Sequence, residues 1–210
     1  MTAQTSVPVG ASPTRCSYFE KPAGLRDFHD HEWGEPVTDA DILFEYVVMY
    51  GFGAGIGMNL VLQKREHFRD ELAGFDPNRL AHFGTARIDE LLENTRLIRN
   101  RRKMEAAVTN AQAWLRLRDE MGGNESLVAF FYTFVNGTPL DSQRPDGDPP
   151  PLSTPASEAL SKALKTRGFA LMGPATCYGL MQTAGLVNDH AVSCFRHQHC
   201  LDLARNLTRL

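Results

Sequence analysis

The stretch of sequence that most constrains the fold of this chain is residues 167–194, RGFALMGPATCYGLMQTAGLVNDHAVSC. Gly168 follows a helical pattern, and glycine at such a position can adopt the left-handed conformation that ends a helix. Gly173 comes five residues later, and Pro174 suits the first turn of a new helix. The stretch therefore predicts two helices joined by a tight hairpin, with the second helix ending near Gly185.

The two glycines of this hairpin have two interpretations. Backbone N–H groups that no side chain covers can approach a phosphate, and the dipole of the following helix favours an anion. A nucleic-acid backbone is then a candidate partner. An ordinary helix–helix turn explains the same glycines, and the hairpin alone does not choose between the two.

Composition narrows the class of protein. The chain has 210 residues, enough for one domain or two small ones with a buried core. Its net charge of −3 gives no global indication of nucleic-acid binding, so that function would depend on a local basic patch. No apolar run reaches transmembrane length, and the N-terminus lacks the pattern of a secretion signal. We expect a cytoplasmic protein with no membrane partner, and we expect it to be a monomer.

Apolar residues recur at helical spacing along most of the chain, and no segment shows the alternation typical of a half-buried strand. Residues 1–14 are small and polar without this periodicity, and we expect them to form a disordered leader. The chain should therefore be all-α, with many helices of modest length. Helices are expected over residues 38–51, 85–94, 102–121 and 157–167, with another beginning at residue 77.

Cysteine and histidine residues suggest a metal site. Cys16 and His29 lie thirteen residues apart, while His190 and Cys194 lie four apart, which on a helix would place both side chains on one face. Two thiolates and two imidazoles can complete a tetrahedral zinc site that ties the N-terminal segment to the C-terminal end. Spacing alone does not select this set, because other candidate ligands lie nearby. They are His31, His197, His199 and Cys200.

Basic residues crowd one turn ahead of the long helix. Such a run is usually a solvated face, but beside a glycine hairpin it is also a candidate for contact with phosphates. The run consists of Arg96, Arg99, Arg101, Arg102 and Lys103.

Several blocks of sequence together resemble the DNA-3-methyladenine glycosylase I family of helix-hairpin-helix base-excision enzymes. They are Cys16, HDHEWG (29–34), ALSKALKTRGF (159–169), MQTAGLVNDH (181–190) and Cys194. The resemblance implies a two-lobed, all-helical fold in which a zinc clasp joins the termini. It also implies cleavage of the N-glycosidic bond of a flipped, alkylated purine.

The resemblance assigns functional positions to this chain. It predicts one structural Zn²⁺ and a single domain over residues 15–200, followed by a tail over residues 201–210. It also predicts contacts with the DNA backbone from the hairpin and from the basic turn. The implied metal ligands are Cys16, His29, His190 and Cys194. The implied contacts with the DNA backbone come from Gly168, Gly173, Arg99, Arg101 and Lys103.

The base pocket departs from the family pattern. In the family, the helix equivalent to residues 46–58 carries a glutamate that hydrogen-bonds the damaged base, then a glutamine pair and a stacking tryptophan. Tyr50 replaces the glutamate, and two pocket tyrosines are replaced as well. Loss of a carboxylate that grips a cationic base removes an interaction worth roughly 1.5–3 kcal/mol. The substrate-binding positions implied by the resemblance are Leu25, Phe28, Trp33, Tyr50, Phe52, Gly53 and Met58.

Candidates for catalysis are few. Many relatives in the wider superfamily place a catalytic aspartate at the position of Asn188. The absence of that aspartate is typical of this family. Tyr50 and Asp189 are the remaining candidates, and Tyr178 could contribute, although Asp189 also suits a helix cap or a support for zinc-bound His190. The family depends on binding the base and on its quality as a leaving group, so changes in the pocket should matter.

These features favour a glycosylase-like enzyme that acts on a modified purine with altered substrate preference. One alternative is the same fold used to bind or transform a small molecule that is not DNA. Another is a catalytically silent protein that binds damaged DNA. Affinity for duplex DNA, with its steep dependence on salt, would separate these hypotheses.

Overall fold

The computed structural model describes residues 13–19 and 23–207. In this part of the chain most residues are helical, and the regular secondary structure is almost all helix. Short 3₁₀ turns cover Ser17–Phe19, Ala73–Phe75 and Thr133–Val135. The α-helices are α1 (Ala23–His31), α2 (Ala40–Gly53), α3 (Met58–Gln63), α4 (Arg65–Glu71), α5 (Pro77–Leu80), α6 (Thr85–Glu93), α7 (Arg101–Met121), α8 (Asn124–Tyr132), α9 (Pro155–Thr166), α10 (Pro174–Thr183) and α11 (Phe195–Asn206). None of the helices that the structure describes is long and apolar enough to span a membrane.

Helix α2 lies at the centre of the main core. It is apolar around most of its circumference, as expected for a helix covered on all sides, and it packs against α7, α8 and α10. Trp114 of α7 fills the middle, with ring centroids 5.2 Å from Phe44 and 5.7 Å from Phe131. A smaller apolar cluster joins the N-terminal segment to the region before α11, and it includes Phe19, Phe28 and Trp33.

The predicted helix–hairpin–helix is confirmed. Helix α9 ends before Gly168, whose φ of 86° is in the left-handed region, and α10 begins with Pro174 directly after Gly173. Asn110 of α7 holds the hairpin through both backbone groups of Ala170, accepting from its N–H at 2.7 Å and donating to its carbonyl at 3.1 Å. The long helix α7 therefore holds the hairpin in place.

Three details differ from expectation. Helix α2 continues through Gly51 to Gly53, because Gly51 is buried in the core, where tertiary packing outweighs its low helix propensity. A two-residue parallel pair, β1 (Leu140–Asp141) with β2 (Val187–Asn188), interrupts the all-α pattern. Helix α11 crosses residue 200, where we placed the end of the domain.

The structure also bears on the predicted N-terminal leader and on the segment 190–194. Residues 1–12 lie outside the described part of the chain, but the carbonyl of Thr14 accepts from the N–H of Phe195 at 3.0 Å. The spacing of His190 and Cys194 suggested a helix, but neither residue lies on one. They lie in a turn that precedes α11, with the N–H of Cys194 donating to the carbonyl of Ala191 at 2.8 Å.

Candidate functional site

Four buried side chains form a compact cluster where the N-terminal segment meets the turn before α11. Every ligand atom lies within 4.8 Å of the others. Nε2 of His29 is 3.2 Å from Nδ1 of His190 and 3.4 Å from Sγ of Cys194, and Sγ of Cys16 is 3.7 Å from Nδ1 of His190. A tetrahedron with zinc–nitrogen and zinc–sulfur bond lengths has edges of roughly 3.3 to 3.8 Å. The geometry therefore suits one tetrahedral metal ion.

Hydrogen bonds on the far sides of the two imidazoles support the same conclusion. Nδ1 of His29 meets a carboxylate oxygen of Asp30 at 2.8 Å, and Nε2 of His190 meets the carbonyl of Trp33 at 2.9 Å. Both partners only accept, so these nitrogens carry the hydrogens, and the facing nitrogens present lone pairs to one another. Burial lowers the pKa of His190 and keeps its ring neutral. Two facing lone pairs repel each other, and a cation between the two rings would bind both of them.

The Cys16 thiol is also prepared for a metal, whereas its hydrogen bond with Cys194 raises the pKa of the Cys194 thiol. A hydrogen bond from the Cys194 thiol lowers the pKa of Cys16, and the N–H of Ala191 donates to Sγ of Cys16 at 3.3 Å. The guanidinium of Arg144 approaches the same sulfur at 3.7 Å. These contacts favour the thiolate, which is the form of cysteine that binds metals.

The alternative ligands lie elsewhere. His197 pairs with a carboxylate oxygen of Asp141 at 3.0 Å, and His199 is half-exposed beside Glu35. Cys200 is buried but does not belong to the four-residue group. His31 does not belong to it either.

A cleft of about 460 Å³ opens beside this cluster, between α1, α2 and α10. Its wall is mainly apolar and aromatic, as is usual for pockets that receive small planar molecules. Six of the seven substrate-binding positions predicted from the resemblance lie in this wall, namely Leu25, Phe28, Trp33, Tyr50, Gly53 and Met58. Phe52 does not line the cleft, because its side chain points into the core and packs on Phe68, with ring centroids 4.4 Å apart.

Tyr50 is fitted closely against α10. Its hydroxyl lies 2.5 Å from Oγ1 of Thr183. Its ring lies against the backbone of Gly179, where an added Cβ would be 2.4 Å from a ring carbon. Burial raises the pKa of Tyr50, so the phenol is neutral. The position carries no negative charge.

Asp189 is buried behind the cleft wall and does not reach the cavity. Its Oδ2 accepts from the hydroxyl of Tyr178 at 3.0 Å and from Nε2 of Gln182 at 2.6 Å. Its Oδ1 accepts from the hydroxyl of Ser142 at 2.7 Å and from Nε of Arg144 at 3.3 Å. With both oxygens occupied, Asp189 holds other side chains in place and has no free lone pair directed at a substrate.

The basic turn contributes less free charge than its sequence suggests. Lys103 is buried, and its Nζ donates to the carbonyls of Phe52 at 2.6 Å and Ala54 at 2.7 Å. It therefore closes the C-terminal end of α2 and does not face solvent as a phosphate contact would. Arg101 pairs with Asp89. Arg99 is exposed, and no ion pair of it occurs among the described residues.

Comparison with known proteins decides the family. Residues 19–197 match the family model described as methyladenine glycosylase. The chain belongs to this family. The DNA-3-methyladenine glycosylase of Haemophilus influenzae is 42% identical over 181 residues, which cover 86% of this chain and 96% of the relative. DNA-3-methyladenine glycosylase 1 of Escherichia coli is 41% identical over 180 residues, or 86% of this chain and 95% of the relative.

Solved structures agree with this placement in the methyladenine glycosylase family. A crystal structure of 3-methyladenine DNA glycosylase I superposes with a TM-score of 0.83 at 43% identity, covering 88% of this chain and 100% of that chain. The structure of 3-methyladenine DNA glycosylase I from Staphylococcus aureus, described in terms of 3-methyladenine recognition, gives a TM-score of 0.81 at 29% identity. It covers 86% of this chain and 95% of that chain.

The structure of this methyladenine glycosylase family member adds residues that the sequence analysis did not assign. Gln182 lines the cleft, and its one-turn spacing from Tyr178 on α10 was the available signal. Arg116 is exposed beside the hairpin, where a Cβ added to Gly168 would lie 3.2 Å from its guanidinium. No ion pair of Arg116 is found within the described part of the chain. Its place in the middle of α7 gave no sequence signal.

Proposed function

We propose that this protein hydrolyses the N-glycosidic bond of an alkylated purine in DNA, and that its base preference differs from that of the relatives named for 3-methyladenine. The supporting observation is a mainly apolar and aromatic cleft of about 460 Å³ that contains Trp33 and the neutral Tyr50. The hairpin from Gly168 to Gly173 is well placed to hold the DNA backbone, since both glycines are exposed.

The chemistry depends on the leaving group. Cleavage breaks the bond between C1′ of the sugar and a ring nitrogen of the purine, and the electron pair leaves with the base. Water then bonds to C1′ and releases a proton. No Asp, Glu or His is found among the described residues that line the cleft, so binding of the departing base replaces general acid–base catalysis as the source of acceleration.

We propose that Cys16, His29, His190 and Cys194 hold one structural Zn²⁺. The proposal rests on their donor atoms, their mutual distances and the hydrogen-bonded far sides of both imidazoles. Bound there, the ion joins the segment before α1 to the turn before α11 and so supports Trp33 at the cleft.

The altered preference follows from charge. A carboxylate at position 50 would attract a cationic base, whereas a buried phenol offers only a hydrogen bond. We therefore expect weak or no release of 3-methyladenine from methylated DNA, measured by chromatography beside the E. coli relative. Tyr50→Glu alone should not restore release, because Phe28, Gly53 and Met58 also differ from the family pattern. Efficient release by the unmodified protein would contradict the proposal.

A second candidate function is favoured by the basic turn. Lys103 donates hydrogen bonds to two backbone carbonyls, and Arg101 forms an ion pair with Asp89. Less positive charge is therefore available for a phosphate backbone. A small-molecule enzyme built on this fold should bind duplex DNA weakly and with little dependence on salt. Affinity for a methylated duplex at two salt concentrations decides between the candidates. Affinity with no base release would indicate a silent damage binder.

A further inference from the structure

We infer that Gln182, oriented by Asp189, is the residue that accepts a hydrogen bond from the amino edge of the bound purine. The inference rests on the proposed function in so far as the cleft is taken to receive a purine. From the sequence, Asp189 was a candidate for catalysis and Gln182 had no assigned role.

The orientation of the Gln182 amide is determined by its partner. Nε2 lies 2.6 Å from Oδ2 of Asp189. A carboxylate has no hydrogen to donate, so it is the NH₂ group of the amide, and not its carbonyl, that faces Asp189. The carbonyl oxygen must then point away from Asp189. Gln182 forms part of the cleft wall, and that oxygen has no protein hydrogen-bond partner in the described chain.

Tyr178 is constrained in the same way. Its only hydroxyl hydrogen is donated to Oδ2 of Asp189 at 3.0 Å. The lone pairs of that hydroxyl remain for a ligand, because Tyr178 also lines the cleft. Because both residues line the cleft one turn apart on α10, the acceptors they leave for a ligand are the Gln182 carbonyl and the Tyr178 hydroxyl.

Two acceptors select a ligand that carries N–H donors. The exocyclic amino group of an adenine-type purine meets this requirement, whereas a ring without that group leaves the acceptors unpaired. An unpaired buried acceptor is costly, which is how polar pockets discriminate between similar molecules.

Asp189 is held in place by its other partners, and it therefore fixes the orientation of the Gln182 amide. Arg144 and Ser142 occupy its other oxygen, and Asp189 itself is 1% exposed. Asp189 is accordingly a positioning residue that acts through Gln182 and does not touch the base. Replacing it should change which base binds, in addition to any effect on stability.

The test compares two free bases that differ only in the amino group, 3-methyladenine and 3-methylpurine. Binding is followed by the fluorescence of Trp33, since the other of the two tryptophans, Trp114, lies in the core. We expect the unmodified protein to bind the amino-bearing base about five-fold more tightly, the value of one neutral hydrogen bond. In Gln182→Met, which is close to isosteric, the ratio should fall, because only the Tyr178 hydroxyl then remains as an acceptor.

Asp189→Asn should lower the ratio in part, because an asparagine can present either its oxygen or its nitrogen to Gln182. The matched control is Ser142→Ala, which removes a different donor from the same carboxylate and should keep the ratio. If Asp189→Asn does not fold, Gln182→Met and Ser142→Ala still decide. An unchanged ratio in Gln182→Met, or no binding of either base, overturns the inference.

Release of bases from DNA is measured separately. A protein that discriminates between the two free bases through Gln182 but releases nothing from alkylated DNA contradicts the proposed function and supports the inference. A protein that releases alkylated bases while Gln182→Met retains the ratio supports the proposed function and overturns the inference.

Discussion

The Cys/His cluster and the cleft lie side by side and share the segment that contains His29 and Trp33. The two regions differ in how strictly their residue types are constrained. The zinc site proposed for the cluster requires four particular donor atoms at fixed distances, and any replacement would remove a ligand. The cleft requires shape, an apolar wall and a few oriented polar atoms, so residues in it can change together. Tyr50 illustrates such mutual dependence, because its hydroxyl meets Thr183 and its ring lies against Gly179.

The largest effect should come from the cluster. We expect Cys194→Ser to lose the metal and to lower the free energy of unfolding by about 4 kcal/mol or more, since metal binding contributes directly to folding in such sites. Metal analysis of the purified protein and urea unfolding measure the two quantities. Cys200→Ala is the matched control, because Cys200 is equally buried nearby but outside the group. It should keep the metal and cost about 1 kcal/mol.

Loss of metal in the Cys200 variant, or full occupancy after Cys194→Ser, would contradict the assigned ligand set. Purified protein without zinc would do the same. Either result would remove the contrast between a cluster that tolerates no replacement and an adaptable cleft.

Gly179→Ala tests how tightly the cleft residues depend on one another. Alanine in a helix is ordinarily favoured over glycine by about 1 kcal/mol. Here the new Cβ would lie 2.4 Å from a ring carbon of Tyr50, so overpacking at about 1–3 kcal/mol should reverse the sign. Gly24→Ala in α1, where nothing lies within 4 Å of the added Cβ, should be neutral or stabilising.

The same substitution in a Tyr50→Leu background should no longer destabilise the protein. A double-mutant cycle in urea measures the coupling. Additive effects of Gly179→Ala and Tyr50→Leu would show that the two positions change independently.

The helix–hairpin–helix was predictable because glycine and proline act locally, and Gly168, Gly173 and Pro174 are placed as their backbone preferences require. The four residues of the cluster were predictable as well, although the turn that carries His190 and Cys194 was not. His190 and Cys194 lie in a turn whose shape depends on contacts with residues distant in sequence, such as that of Phe195 with Thr14. Periodicity carries no information about such contacts.

The basic turn shows the limit of reading charge from sequence. Lys103 looked like a phosphate contact, but it is near enough to the end of α2 to bind two carbonyls there. Phe52 looked like a pocket residue, but helix α2 directs it to Phe68. In both cases the residue type was compatible with either role, and only the packing of one helix on another decided.

The hydroxyl pair of Tyr50 and Thr183 should contribute a smaller amount. Tyr50→Phe leaves the buried Thr183 hydroxyl without a partner and should destabilise the protein by about 1–2 kcal/mol. Adding Thr183→Val removes the unpaired group, so the double variant should be more stable than Tyr50→Phe alone. Thermal unfolding of the four proteins of the cycle gives the coupling energy. No recovery in the double variant would show that the hydroxyl pair does not stabilise the cleft.

The smallest effect concerns the proposed contact with DNA, where Arg116 is compared with Arg101 of the basic turn. Arg116 is exposed beside Gly168, whereas Arg101 is paired with Asp89. A cation that contacts a phosphate releases counterions, so removing it should lower duplex affinity a few-fold and reduce the slope of log affinity against log salt by about 1. We expect this of Arg116→Ala and little change for Arg101→Ala, measured by fluorescence anisotropy at several salt concentrations. The opposite order would restore the basic turn as the phosphate contact, and unchanged slopes in both variants would favour a cleft that serves a ligand other than DNA.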